Sequence, residues 1–231
     1  MSFLLDGLTQ ALYLLATWDA DTLSAVRATL LSTVYAMTAA LGLGLPAGFA
    51  LGYGSFPGRK ALRLCSDTLL AFPTVLIGLL VYAFISRRGP LGDFGLLFTL
   101  EGMAVGQTLL ALPIVISLTA QAVEGLDARC RQTLLTLGAS GWHTALGVLS
   151  EVRFQLMLVG LTAFGRVVTE VGIAMMLGGN IRWETRTITT AIALETNKGE
   201  FAQGIALGLV LLVMAFILNV LLVLVRRRGG A

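Results

Sequence analysis

Arg166 and Glu170 lie four residues apart inside an apolar run over about 154–177, so on a helix they share one face. A charge at mid-membrane costs about 3 kcal/mol on insertion scales, so both should face protein or a wet cavity, and each other. Two roles fit the pair: lining or gating a polar path, or locking this helix to a neighbour as a structural ion pair. Little else in the chain has chemical spacing. His143 is the single histidine, has no carboxylate pair near it in sequence, and belongs to no G-x-S-x-G or H-E-x-x-H pattern. Cys65 and Cys130 have no metal-ligand spacing and read as inert small side chains. Lys60 precedes Ala61 and Lys198 precedes Gly199, so neither completes a phosphate-cradling G-x-x-x-x-G-K-[ST] loop. The expectation is a chain without catalytic residues, bound metal or cofactor, whose ATP and magnesium, if its work needs them, sit on another polypeptide.

The elements that position these residues are set by solvent. Of 231 residues, 56% are hydrophobic and 13% charged, and the mean hydropathy is +0.86. That composition does not suit a water-soluble domain, which would expose large apolar patches. Apolar runs approach the ~20 residues that cross ~30 Å of hydrocarbon as a helix, and helices satisfy their own backbone groups there. The fold class is therefore all-α integral membrane, one transmembrane domain over 1–231, with lipid as partner and no nucleic-acid patch.

In chain order, residues 1–22 carry Phe3, Leu4, Leu8, Leu12, Leu15 and Trp18 at near-helical spacing and predict an amphipathic helix on the bilayer. Five spans follow, at about 26–53, 64–86, 103–123, 154–177 and 205–225. Gly42, Gly44, Pro46 and Gly48 predict a kink and close helix contact in the first. Pro73 and Pro113 fall inside the second and third and predict bends, either packing kinks or parts of a gate. Gly178-Gly179-Asn180 stops the fourth. Lys and Arg set the orientation. Five spans place Arg59, Lys60, Arg63, Arg129, Arg131, Arg153, Arg226, Arg227 and Arg228 on one side, and only Arg87, Arg88, Arg182, Arg186 and Lys198 on the other. The richer side is inside, giving an outer N-terminus and an inner C-terminus.

That topology makes 127–151 a cytoplasmic loop. Its centre, Leu137-Gly138-Ala139-Ser140-Gly141-Trp142, sits between two amphipathic halves and predicts helix, sharp turn, helix, with Leu137, Ala139 and Trp142 as an apolar knob. This stretch resembles the coupling loop of ATP-binding-cassette importer permeases, whose pattern runs E-A-A, three residues, G, then I-x-L-P. Gly138-Ala139-Ser140 and Trp142 match the middle; Gln132-Thr133-Leu134 stand at E-A-A, Val148 at the isoleucine and Ser150-Glu151 at L-P. Further stretches, Ala71 to Gly78, Ser86 to Gly92 and Gly95 to Thr99, look like molybdate and tungstate permeases, and Gly178 to Ile181 with Glu184 to Ile192 looks like the tungstate branch. The resemblance implies a type I importer permease in a prokaryotic inner membrane, pairing with a second copy of itself, driven by a cytoplasmic ATPase dimer and fed by an extracytoplasmic oxyanion-binding protein. An ion-gradient-driven carrier or channel using Arg166 and Glu170 is the alternative.

On the outer side, Asn180, Arg182, Thr185 and Arg186 are candidates for docking that binding protein or contacting an anion at a helix terminus. Ile188, Ala191 and Ile192 fall at i, i+3, i+4, so this segment also reads as an amphipathic helix on the membrane surface.

Overall fold

Why the first apolar run packs as it does is visible in three glycines one turn apart, Gly44, Gly48 and Gly52. In the computed structural model, a Cβ at Gly48 would lie 2.6 Å from the Ile116 carbonyl oxygen, and one at Gly52 would lie 2.8 Å from that of Ala120. Two helices can approach this closely only where side chains are absent, the small-residue packing that replaces hydrophobic drive inside lipid. They are α1 (Ala20–Tyr53) and, later in the chain, a helix over Leu100–Glu124.

The structure describes residues 20–229 together with Thr9 and Tyr13. The expected amphipathic helix over 1–22 falls almost wholly outside the described residues; its last three, 20–22, form the first turn of α1. After α1 come α2 (Arg59–Leu69), α3 (Thr74–Ile85), a 3-10 turn at Gly92–Phe94, α4 (Leu100–Glu124), α5 (Ala128–Thr136) and α6 (Gly141–Glu151). The chain continues through α7 (Arg153–Val168), α8 (Gly172–Gly178), α9 (Ile188–Lys198) and α10 (Phe201–Gly229). No strand occurs among the described residues.

Two of the expected spans are broken. The run 64–86 is two helices, α2 and α3, with a break over 70–73. Pro73 disfavours helical backbone at Phe72 and itself takes the extended N-cap position of α3, its carbonyl accepting from Leu76 and Ile77 at 3.0 and 3.2 Å. Pro113 does no such thing: it is buried within an unbroken α4, as Pro46 lies within an unbroken α1. The run 154–177 also breaks, between α7 and α8, with no proline at the break. α1 and α4 are each long and apolar enough to cross a membrane, and the interrupted pairs α2–α3 and α6–α7 each reach that length and apolarity when taken together.

The helices form two compact units. One comprises Met1–Ala36, Pro73–Leu110 and Gly165–Asn219; the other Met37–Phe72, Ala111–Phe164 and Val220–Ala231. In the first, α8 is the buried centre: Ile173, Ala174 and Leu177 are wholly inaccessible. Gly78 of α3 gives way to Met176, and Gly106 of α4 to Ile173 and Leu177. Ile188 and Ala191 of α9 are buried with Ala25 of α1 and with Leu207 and Val210 of α10. The apolar face read as lying on the membrane surface is thus covered by protein. In the second unit, Val148 and Val152 pack with Val123, flanked by Phe49, Tyr53, Leu126 and Leu156.

Candidate functional site

The second unit carries a helical hairpin. Asp127 caps α5, its carboxylate accepting the Arg129 amide at 2.9 Å. The helix ends where Gly138 takes φ +82°, a left-handed conformation that glycine adopts without Cβ strain. The amides of Leu137, Gly138 and Ala139 return to the carbonyls of Thr133, Leu135 and Leu134. Ser140 then starts α6: its Oγ accepts the His143 amide and lies 2.7 Å from His143 Nδ1. The arms close through one contact absent from the sequence reading, where Leu134 occupies the space that a Cβ at Gly147 would fill, 2.7 Å away. At the tip, Leu137 is 78% and Trp142 71% exposed, while Ala139 is partly covered.

An ion network missed by sequence reasoning braces the elements from which this hairpin springs. Arg59 Nε donates to the Leu51 carbonyl at 2.7 Å, and Nη2 reaches the Gly52 carbonyl at 3.1 Å and Glu124 Oε1 at 2.7 Å. One guanidinium therefore ties the C-terminal end of α1, where carbonyls lack helical partners, to the last residue of α4 through the Glu124 carboxylate. Arg63 extends the network to the Ser117 carbonyl at 2.8 Å and to Asp67 at 3.5 Å, and Asp67 bonds Ser117 Oγ. In sequence, Arg59 and Arg63 read only as topology charges.

In the first unit the break between α7 and α8 is built by side chains. Thr169 Oγ1 turns back to the Gly165 and Arg166 carbonyls at 3.1 and 3.2 Å. The Glu170 side chain, 4% exposed, accepts the amides of Gly172 and Ile173 through Oε1 at 3.0 and 3.3 Å, and lies 3.1 Å from Arg166 Nη1 through Oε2. A carboxylate at a helix N-terminus meets both the unpaired amides and the positive end of the dipole. The expected pair does form, and Glu170 is occupied as the cap of α8. Arg166 is 45% exposed, leaving most of its fork open. The start of α8 adjoins the other break: a Cβ at Gly172 would meet Val75 Cγ2 at 3.4 Å and Thr74 Oγ1 at 3.9 Å. The starts of α3 and α8 therefore lie side by side, so Pro73, Arg166 and Glu170 mark paired breaks, whereas Pro113 is not part of one.

The segment after α8 treats its expected anion contacts differently. Thr185 is buried; its hydroxyl bonds the Gly178 carbonyl and accepts the Ile181 amide at 3.1 Å, so it knots the loop and has no donor left for an arriving anion. Thr187 and Thr190 form a capping box at the start of α9, and Thr189 Oγ1 donates to the Glu170 carbonyl at 3.0 Å. Arg182 is paired with Asp21 and lies over the Trp183 ring at 5.4 Å. Asn180, at φ +52°, and Arg186 each hold a buried polar atom without a partner among the described residues.

Helices long and apolar enough to cross a membrane, an exposed helical hairpin and two helix breaks side by side suit a membrane-spanning subunit. The family model described as the binding-protein-dependent transport system inner membrane component matches residues 44–229, and the chain belongs to that family. It is a permease subunit of an inner-membrane importer, and ATP hydrolysis belongs to a separate subunit. Over 219 residues it is 48% identical to the tungstate uptake system permease protein TupB of Campylobacter jejuni, covering 95% of this chain and 92% of that one. A probable anion ABC transporter permease protein of Haloferax volcanii is 39% identical over 82% of this chain and 85% of its own. Among solved structures, the crystal structure of a bacterial ABC transporter importing the acidic polysaccharide alginate matches with a TM-score of 0.68 at 15% identity, covering 94% of this chain and 82% of that one. This last likeness concerns the fold alone.

Proposed function

We propose that this chain is the membrane-spanning subunit of an ATP-driven importer for an oxyanion, tungstate in particular. It works as a homodimer, N-terminus outside and C-terminus inside, and the tip Leu137–Trp142 seats in a groove of the ATPase. The observation that carries the substrate is the 48% identity to a tungstate uptake permease over nearly the whole chain. Two exposed apolar side chains on a hairpin closed by Leu134 against Gly147 support the ATPase seat, because such anchors are what helix-in-groove recognition uses. A single chain of this size encloses little space, and a two-fold pair would form the path between its copies. A proton-driven carrier through Glu170 is disfavoured, because both of its carboxylate oxygens are already engaged, one by the amides of Gly172 and Ile173 and the other by Arg166.

The experiment is uptake into vesicles holding the chain with its partner ATPase and binding protein. Tungstate should accumulate with ATP, and sulfate should compete poorly. Accumulation driven by a proton gradient without ATP would contradict the proposal.

A further inference from the structure

Beyond the transport role, the far end of α3 carries a second site. Its C-cap is Ser86, and the chain then turns through Arg87 and Arg88 toward the 3-10 turn. A cleft of about 650 Å³ opens here, and its lining includes Tyr82, Ser86, Arg87, Arg88 and Phe98 with no acidic side chain. Both arginines are exposed, and neither has a hydrogen-bond or ion-pair partner among the described residues; nearby Asp93 reaches neither. Two adjacent unpaired guanidiniums present the planar donor fork suited to a tetrahedral oxyanion.

What distinguishes this cleft from a site for a free ion is the surface leading to it. Val75, Leu79 and Tyr82 are 59%, 50% and 38% exposed and recur at four and three residues, so they form one stripe on α3 that runs into the cleft. Phe98, 45% exposed, adds a second aromatic group to the lining that holds the arginines. An apolar stripe ending in aromatics and paired arginines has the order of a lipid, acyl chain then anionic headgroup, and amphipathic aromatic and basic side chains sit at the interface on either face of the bilayer. We infer that Arg87 and Arg88 bind the phosphate of an anionic phospholipid, whose acyl chain lies along Val75 and Leu79.

The purified, delipidated chain would be titrated with dioleoylphosphatidylglycerol and bound lipid counted by native mass spectrometry. The comparison variants are Arg87→Gln with Arg88→Gln, and Arg87→Lys with Arg88→Lys. Loss of about tenfold in affinity for one lipid per chain in the glutamine variant, with partial recovery in the lysine variant, is expected. Inorganic phosphate and tungstate at millimolar concentration should leave the lipid in place. Equal lipid binding by the glutamine variant overturns the inference. So does arginine-dependent binding of free tungstate or phosphate with lipid binding unaltered, which assigns the cleft to a soluble anion. Should the double glutamine variant not insert, the single Arg88→Gln variant makes the same comparison.

Discussion

Glu170 reaches back one helical turn to Arg166 at 3.1 Å and forward to the amides of Gly172 and Ile173, so a single carboxylate ties both sides of a helix break. The bond to Arg166 is the visible part of its role, but the bonds to the amides keep the break intact where water cannot.

Glu170→Ala should therefore destabilise more than Glu170→Gln, which keeps a carbonyl oxygen for the amides. About 1–3 kcal/mol is expected for alanine, from leaving two buried donors unpaired. Thermal unfolding of the detergent-solubilised chain, followed by intrinsic fluorescence, checks this. Equal midpoints for the alanine variant and the wild type would show that the cap contributes nothing.

Arg166→Leu strands a buried carboxylate, and adding Glu170→Gln removes that charge. The double variant should be more stable than Arg166→Leu alone, with a positive coupling in a double-mutant cycle. Additive effects would mean that the two side chains do not interact.

The glycines of α1 separate space from conformation. Gly48→Leu meets the α4 backbone and should cost at least 1–3 kcal/mol as overpacking. Gly42 has nothing within 4 Å of a built Cβ, so Gly42→Ala should be neutral or stabilising by up to about 1 kcal/mol. Midpoints from the same unfolding assay decide, and comparable losses for both would contradict the packing.

At the hairpin, Trp142→Arg should leave insertion and dimer yield unchanged while ATP hydrolysis by the partner runs without uptake. Gly147→Val pushes against Leu134 and should reduce coupling by misplacing an intact tip. Simultaneous measurement of phosphate release and uptake checks both, and wild-type ratios for Trp142→Arg would remove the tip from the coupling path.

How far the sequence anticipates this depends on where each signal resides. Hydropathy carries the all-helical membrane fold, and Gly138 with Ser140 announces the hairpin, because a left-handed stop and an N-cap are local chemistry. Pro73 and Pro113 look equivalent in sequence, yet only Pro73 stands at a helix break, where Leu70 to Phe72 supply the turn before it and it begins α3. The break at Thr169–Val171 is invisible to hydropathy: it arises from the reach of two side chains. The burial of Thr187, Thr189 and Thr190 is not legible either, because their partners lie at Glu170 and on one another. Arg59 gains its role only when the ends of α1 and α4 come together, a contact of long sequence separation.

The most direct test places a cysteine at Trp142 in an otherwise cysteine-free chain and attempts disulfide or bifunctional cross-linking to the partner ATPase in inverted vesicles. A specific ATPase adduct, weakened when ATP closes or opens the motor and absent with a cysteine at Phe94, is the result expected of a cytosolic hairpin that receives force. Labelling of that cysteine only from the outer face, with no ATPase adduct, would contradict the account.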